Sequence, residues 1–170
     1  KLLEEVKDRE FIGYSYDGAD ASFELLARRL MGEIPRYILI NEYDVSVKKD
    51  SLGEIISHAK AQLEVDGQKI LCEGQGNGPV NALDNAIRKN VNKLAKYSEY
   101  LKDLKLVDYK VRILNTGTEA ITRVSIESTD SKGKNWFTIG VSANIIDASF
   151  KALVDSLDYK LFKDNAPASL

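Results

Sequence analysis

The stretch Glu73-Gly74-Gln75-Gly76-Asn77-Gly78-Pro79-Val80 decides how the rest of the chain is read. It follows a strand-like run, Lys69-Ile70-Leu71-Cys72. It opens a helix-like run from Val80 to Leu94, with Val80, Leu83, Ile87, Val91 and Leu94 at spacings of three and four. Glycine admits positive φ and close approach, and proline suits the first helical position. The stretch is therefore a strand-to-helix turn. Its unpaired amides and the helix dipole together suit an anion such as a carboxylate. Asn77 adds a side-chain hydrogen bond beside the backbone of Gly76, Gly78 and Pro79. Plain capping is the alternative, since Asn and Gly are common at helix starts without a ligand, but three glycines in five residues exceed what a cap needs. A dinucleotide fingerprint requires G-x-G-x-x-G inside a parallel βαβ unit. Here the spacing is G-x-G-x-G-P after a hairpin meander, which argues against it.

Upstream of this turn the hydrophobic period is two. Asn41, Tyr43, Val45 and Val47 alternate with Glu42, Asp44, Ser46 and Lys48. Ala59, Ala61, Leu63 and Val65 alternate with His58, Lys60, Gln62 and Glu64, and Asp66-Gly67 is a strong hairpin signal. One-sided alternation predicts antiparallel strands with one wet face. The unit is β-β-β-α, its helix covering the sheet. Shifting the chain by 66 residues superposes Tyr43 on Tyr109, Val45 on Val111, Gly74 on Gly140, Ala82 on Ala148 and Ala86 on Ala152. The pattern thus repeats, with strands expected at Leu106–Leu114, Ile121–Ser128 and Asn135–Ser142. A last helix carries Ile146, Phe150, Leu153, Val154, Leu157 and Leu161 on one face. The phase slips at the fifth strand, where Val124 and Ile126 take the opposite parity. The second strand-to-helix junction, Ser142-Ala143-Asn144-Ile145-Ile146-Asp147, is plainer, and Asn144 reads there as a cap.

Residues 1–34 read as two helices. Asp17 or Asp20 is placed to cap the second, whose face would be Phe23, Leu26, Ala27 and Leu30 with Arg28 and Arg29 outward. Gly32 and Pro35 end it. The expected fold is α+β. A helical linker subdomain (1–34) precedes two pseudo-twofold-related β-β-β-α units (35–104 and 105–165) and a tail (166–170). Each unit has little core of its own, and exposed sheet edges make a homodimer the expected state.

The chain has 170 residues, 44% of them apolar and 29% charged, and a net charge of −2. Without a basic run, no nucleic-acid partner is expected. Without a long apolar run or a signal-peptide pattern, no membrane is expected and the location reads as cytoplasmic. The first residue is Lys1, inside a helical pattern already under way, so the chain reads as a fragment. Cys72 reads as core, and one histidine, His58, with no tight acidic cluster leaves no metal site. No nucleophile stands beside a base, so no catalytic residue is expected. Asp84, Asp147 and Asp155 read as solvated helix residues. Tyr97 and Tyr100, with Leu101 and Leu104, read as ordinary core or as an apolar pocket wall with two hydroxyls.

The run Gly74 to Asp84 resembles a signature of the C-terminal regulatory domain of the 2-isopropylmalate synthase and citramalate synthase family. So do Gly117-Thr118-Glu119-Ala120, Trp136 to Ser142, and Asn144 to Ser149. The segment Gly13 to Leu26 resembles the family's linker subdomain, most of all in the citramalate synthase branch. The resemblance implies that this fragment is not itself an enzyme. It would follow an N-terminal catalytic barrel of the same chain, which uses acetyl-CoA, a 2-oxo acid and a divalent metal; no cofactor is implied for the fragment. It implies a homodimer that binds the end-product amino acid, isoleucine or leucine, for feedback inhibition. The carboxylate would meet Gly76, Asn77, Gly78, Pro79 and Asn144, and the ammonium a group such as Glu119. The side chain would meet Tyr97, Tyr100, Leu104, Leu114, Ile139 and Val141. Many members carry an acid where Asn77 stands. A structural dimerisation domain with no working effector site is the alternative.

Overall fold

The computed structural model describes residues 1–114 and 120–170. The chain divides into two compact units, Pro35–Lys102 with Asp164–Leu170, and Lys1–Ile34 with Asp103–Lys163. Each contains one three-stranded antiparallel meander and one long covering helix.

In the first unit β1 (Leu39–Lys49), β2 (Ile55–Val65) and β3 (Gln68–Gly76) form a sheet of order β1-β2-β3. The turn between β2 and β3 places Asp66 at φ 51 and Gly67 at φ 74, the left-handed pair that fits the strand twist in a tight hairpin. Ala59, Ala61, Leu63, Val65 and Cys72 are buried beneath α3 (Pro79–Lys89), which contributes Ala82, Leu83, Ala86 and Ile87 to the same core. Burial pushes the Cys72 thiol pKa up, as expected of a core residue.

The helix ends earlier than the apolar spacing predicts. The Asn90 side chain donates to the carbonyls of Glu73 (3.0 Å) and Ala86 (2.6 Å), while its backbone leaves the helical region. Val91 and Leu94 continue the apolar pattern through two 3-10 turns, Val91–Lys93 and Ala95–Tyr97, before the short α4 (Ser98–Leu101). Local hydrogen bonding by an asparagine competes with the helix and wins. Beyond Lys163 the tail binds this unit. Tyr97 donates to the Pro167 carbonyl (2.8 Å), Ser169 N–H to that of Arg36 (2.7 Å), and Leu170 N–H to the Asp66 carboxylate (2.8 Å).

The second unit holds α1 (Leu2–Phe11), α2 (Asp20–Leu30), β4 (Lys105–Ile113), β5 (Thr122–Thr129), β6 (Asn135–Ser142) and α5 (Ile145–Lys163). Its sheet order is β4-β5-β6. The repeat is legible in the register. Val45 faces Ala59 and Ala59 faces Gly74; Val111 faces Val124 and Val124 faces Gly140. The offset is thus 66 for the outer strands and 65 for the middle one. One residue is missing before β5 and one is added after it, which is the phase slip seen in the sequence. Both first strands also carry an irregularity at the same relative place, between Ile40 and Glu42 and between Leu106 and Asp108.

Of the glycines matched by the 66-residue shift, Gly67 and Gly133 lie in turns at φ 74 and 77, whereas Gly74 and Gly140 lie in strands, and Gly74, Gly76 and Gly78 all avoid positive φ. A Cβ on Gly74 would stand 2.3 Å from the Ala86 backbone nitrogen, and one on Gly76 2.6 Å from that of Ala82. A Cβ on Gly140 would stand 2.0 Å from the Ala148 carbonyl oxygen and 2.8 Å from the Ala152 nitrogen. The superposed Gly–Ala pairs are therefore seams along which each helix lies against its third strand.

Helix α2 is rolled from its expected orientation. Its buried residues are Ala21, Ser22, Leu25 and Leu26, while Phe23 is 40% exposed. Asp20 caps nothing; its carboxylate accepts the Phe137 N–H (3.2 Å). Ser22 Oγ accepts the Ile139 N–H (2.9 Å) and donates to Asp155 (2.8 Å). These bonds satisfy donors on the edge of β6, so the helix shields that edge. Arg29 is exposed, as expected, and bridges Asp155 and Asp158, each at 2.9 Å. Asp155 is accordingly an ion-pair partner and not a solvated residue.

At the last turn of α5 the Asp130 carboxylate is fully buried between Lys160 (2.9 Å) and Lys163 (2.6 Å), and Asp103 lies 3.2 Å from Lys160. Burial works to raise the Asp130 pKa, but the bonds from Lys163 and Lys160 outweigh it and hold the pKa at about 2.

Two outcomes follow from this packing. Gly74→Ala and Gly140→Ala should each lower stability in urea titrations by about 1–3 kcal/mol or more, since backbone must shift. Gly78→Ala, with nothing within 4 Å of the new Cβ, should stay within about 1 kcal/mol of the parent. The Asp130 contribution should be complete above about pH 4, its unfolded-state value, and be lost as pH falls toward about 2. Asp130→Ala should cost about 2–3 kcal/mol at pH 7, because the carboxylate shared by Lys160 and Lys163 is lost while Lys160 keeps Asp103, and should flatten the acid limb of thermal melts between those pH values.

Candidate functional site

The two repeated strand-to-helix junctions differ at the atoms that matter for a ligand. At the start of α5 the Asn144 side-chain oxygen accepts the N–H groups of Ile146 (2.8 Å) and Asp147 (3.1 Å). That junction is closed by its own cap. At the start of α3 the N-cap is Gly78, and no side chain caps the helix. Pro79 follows and lacks a donor. Asn77 is exposed, and its backbone N–H donates to the Asn81 side chain (3.3 Å). Asn85 donates to the Gln75 carbonyl (2.8 Å) and to the Asn81 side-chain oxygen (3.3 Å), so the flank of the turn is already ordered.

Ser57 lies under this turn. It pairs in register with Gly76 and, by strand parity, shares the helix-covered side with Ala59. Ser57 is 1% exposed, and its hydroxyl has no hydrogen-bond partner among the described residues. An unsatisfied buried hydroxyl is costly and marks a place where a polar group is missing. No sequence motif includes it. The available signal was a serine at an inward position of the series Ser57, Ala59, Ala61, Leu63, Val65.

The expected effector residues divide between the units. Gly76, Asn77, Gly78, Pro79, Tyr97 and Tyr100 lie in the first; Leu104, Leu114, Ile139, Val141 and Asn144 lie in the second. Tyr97 is fully buried with its hydroxyl bound to Pro167, and Tyr100 is half-buried. In the second unit Leu114 and Val141 meet with Ile121 around Gly13, whose added Cβ would lie 2.9–3.3 Å from all three. Ile139 and Val141 are buried, and Leu104 is half-buried. Glu119, with Gly117 and Thr118 of its motif, lies outside the described residues.

A second opening in the first unit is a cleft of about 270 Å³ lined by His58, Lys60, Glu73, Gln75 and Lys89. Lys60 and Glu73 approach to 3.7 Å there, both more than half exposed. Among the described residues no group of three or more His, Cys, Asp or Glu could hold a metal ion. No helix among them is long and apolar enough to cross a membrane.

A duplicated β-β-β-α chain with helices seated on glycine seams defines a small α+β domain built from two like units. The chain belongs to the family described as the LeuA allosteric (dimerisation) domain, whose model matches residues 17–161. It is 44% identical over 166 residues to an (R)-citramalate synthase of Geobacter sulfurreducens, covering 96% of this chain and 31% of that protein. To an (R)-citramalate synthase of Aquifex aeolicus it is 46% identical over 169 residues, covering 96% of this chain and 31% of that protein. A 2-isopropylmalate synthase of Clostridium acetobutylicum is 38% identical over 106 residues, 61% of this chain and 17% of that protein. The chain spans about a third of the length of the first two relatives. Membership in a dimerisation-domain family supports a homodimer.

The contrast between the two junctions is measurable. Asn144→Ala should destabilise the second unit by about 1 kcal/mol, read as a lower urea midpoint with unchanged slope. Asn77→Ala should leave stability within about 0.5 kcal/mol of the parent, as for a surface substitution.

Proposed function

We propose that this chain is the regulatory domain of an acetyl-CoA-dependent citramalate or 2-isopropylmalate synthase, and that it binds the end-product amino acid, isoleucine or leucine, for feedback inhibition. The observation that carries this reading is the α3 start, uncapped and set above the partnerless Ser57 hydroxyl, where its counterpart at α5 is capped by Asn144. A free amino acid brings a carboxylate for the α3 amides and an aliphatic group for an apolar wall. The relatives' names, mostly (R)-citramalate synthase, favour isoleucine as the first ligand to test. Acetyl-CoA, the 2-oxo acid and a divalent metal would belong to a catalytic domain preceding these residues. Inhibition would then be a difference in effector affinity between active and inactive states of the whole enzyme.

One observation favours a plain dimerisation domain instead. Two of the three turn glycines are accounted for by helix packing, so their number no longer requires a ligand.

Thermal shift against isoleucine, leucine and valine separates the two readings. Effector at about 100-fold above its Kd should raise Tm by about 5–10 °C. Ser57→Ala should keep or slightly raise the ligand-free Tm while reducing the shift. No shift and no calorimetric heat with any of the three would leave the dimerisation reading in possession.

A further inference from the structure

The cleft of about 270 Å³ draws its walls from three elements: His58 and Lys60 of β2, Glu73 and Gln75 of β3, and Lys89, the last residue of α3. His58 and Lys60 alternate along β2 with Ser57, Ala59 and Ala61, which are buried on the helix side. The two residues therefore stand on the opposite, outer face of the sheet. Register sets Gln75 opposite His58 and Glu73 opposite Lys60. The volume lies near the lower end for small-molecule pockets, about 300 Å³, and is far above the share of a single water, about 30 Å³.

The polar groups of the cleft are unequally matched. Lys60 and Glu73 approach to 3.7 Å and answer each other. The side chains of His58, Gln75 and Lys89 have no hydrogen-bond or ion-pair partner among the described residues, although His58 is half-buried. Lys89 thus leaves one positive charge unanswered. Histidine changes charge between about pH 5 and 8, so acidification adds a second. The other groups flanking His58 on this face belong to β1, where Ser46 lies opposite it between Asp44 and Lys48. Those two carry one charge of each sign and leave the balance positive.

We infer that this cleft binds a small organic oxyanion, a carboxylate or a phosphate ester, held by the Lys89 ammonium and the protonated His58 imidazole, with the Gln75 amide as a neutral donor. Charge-assisted donors of this kind serve carboxylate and phosphate oxygens alike. Ser57 and the start of α3 lie on the helix side of the same sheet, so the oxyanion site neither requires nor excludes an effector there.

Nuclear magnetic resonance titration of the isotope-labelled 170-residue chain tests this, read at its backbone amides and at the imidazole C–H of His58, the only histidine. Succinate and glycerol 3-phosphate are the probes, with sodium chloride at matched ionic strength as the blank. At least one probe should move the His58 resonance and the amides of Lys60, Glu73 and Gln75 saturably, and the tighter of the two tells carboxylate from phosphate ester. Binding should be about threefold or more tighter near pH 5.5 than near pH 8. Lys89→Gln should weaken it by about tenfold, and His58→Gln should weaken it and remove the pH dependence. Lys69→Gln, at the far end of the same face of β3, and Ser57→Ala should leave it unchanged, with far-UV circular dichroism confirming the fold of each variant. No saturable shift with either probe, an equal shift with sodium chloride, or a Lys69→Gln effect as large as that of Lys89→Gln overturns the site. Binding abolished by Ser57→Ala overturns its placement, and binding indifferent to pH and to His58→Gln overturns the role of the histidine.

Discussion

Backbone-to-backbone contact between a helix and the third strand of its sheet is the constraint on which each unit depends. Side chains normally hold packed layers apart, about 10 Å for two stacked sheets. Here Gly74 and Gly76 meet Ala86 and Ala82, and Gly140 meets Ala148 and Ala152, with no room for a single added carbon. The close seam draws α3 over β2 and β3, and α5 over β5 and β6. It also fixes what is left bare: the first strand of each sheet, with its valines and an open edge. The same small residues therefore decide both the core and the surface that remains to be covered.

Polar groups complete what the seams begin. In the second unit Asp20 and Ser22 spend their acceptors on the β6 edge, and Arg29 joins α2 to α5 through two carboxylates. Burial pushes the Asp158 carboxyl up to about 6, against the pull of Arg29. Asp130, against the last turn of α5, is held down by two lysines. The last turns of α5 thus meet two acids of opposite fate: Asp158 on the helix, displaced upward, and Asp130 from the β5–β6 turn, held down. In both cases burial opposes ionisation, and the number and closeness of the cations decide the outcome. In the first unit the tail has the comparable role, tying the Asp66-Gly67 hairpin to the Tyr97 region.

The duplicated architecture makes differences between its halves informative. Equivalent junctions start α3 and α5, yet one is closed by an asparagine cap and the other is open above a hydroxyl with no partner. That difference between the junctions, and not the shared fold, is what the proposed effector site rests on.

Much of this was legible in the sequence by itself. Period-two alternation, the Asp66-Gly67 turn and the 66-residue correspondence determine two antiparallel meanders each covered by a helix, because side-chain alternation and turn chemistry are local properties. The capping role of Asn144 was legible for the same reason. Tertiary structure alone decided the rest. The purpose of Gly74, Gly76 and Gly140 depends on a helix that returns over them. The roll of α2 depends on the unpaired amides of Phe137 and Ile139, far away in the chain. The stop of α3 at Asn90 depends on the Glu73 carbonyl beside it. The significance of Ser57 depends on what fails to reach it. Each is a matter of distance between segments remote in sequence, and periodicity carries no information about such distances.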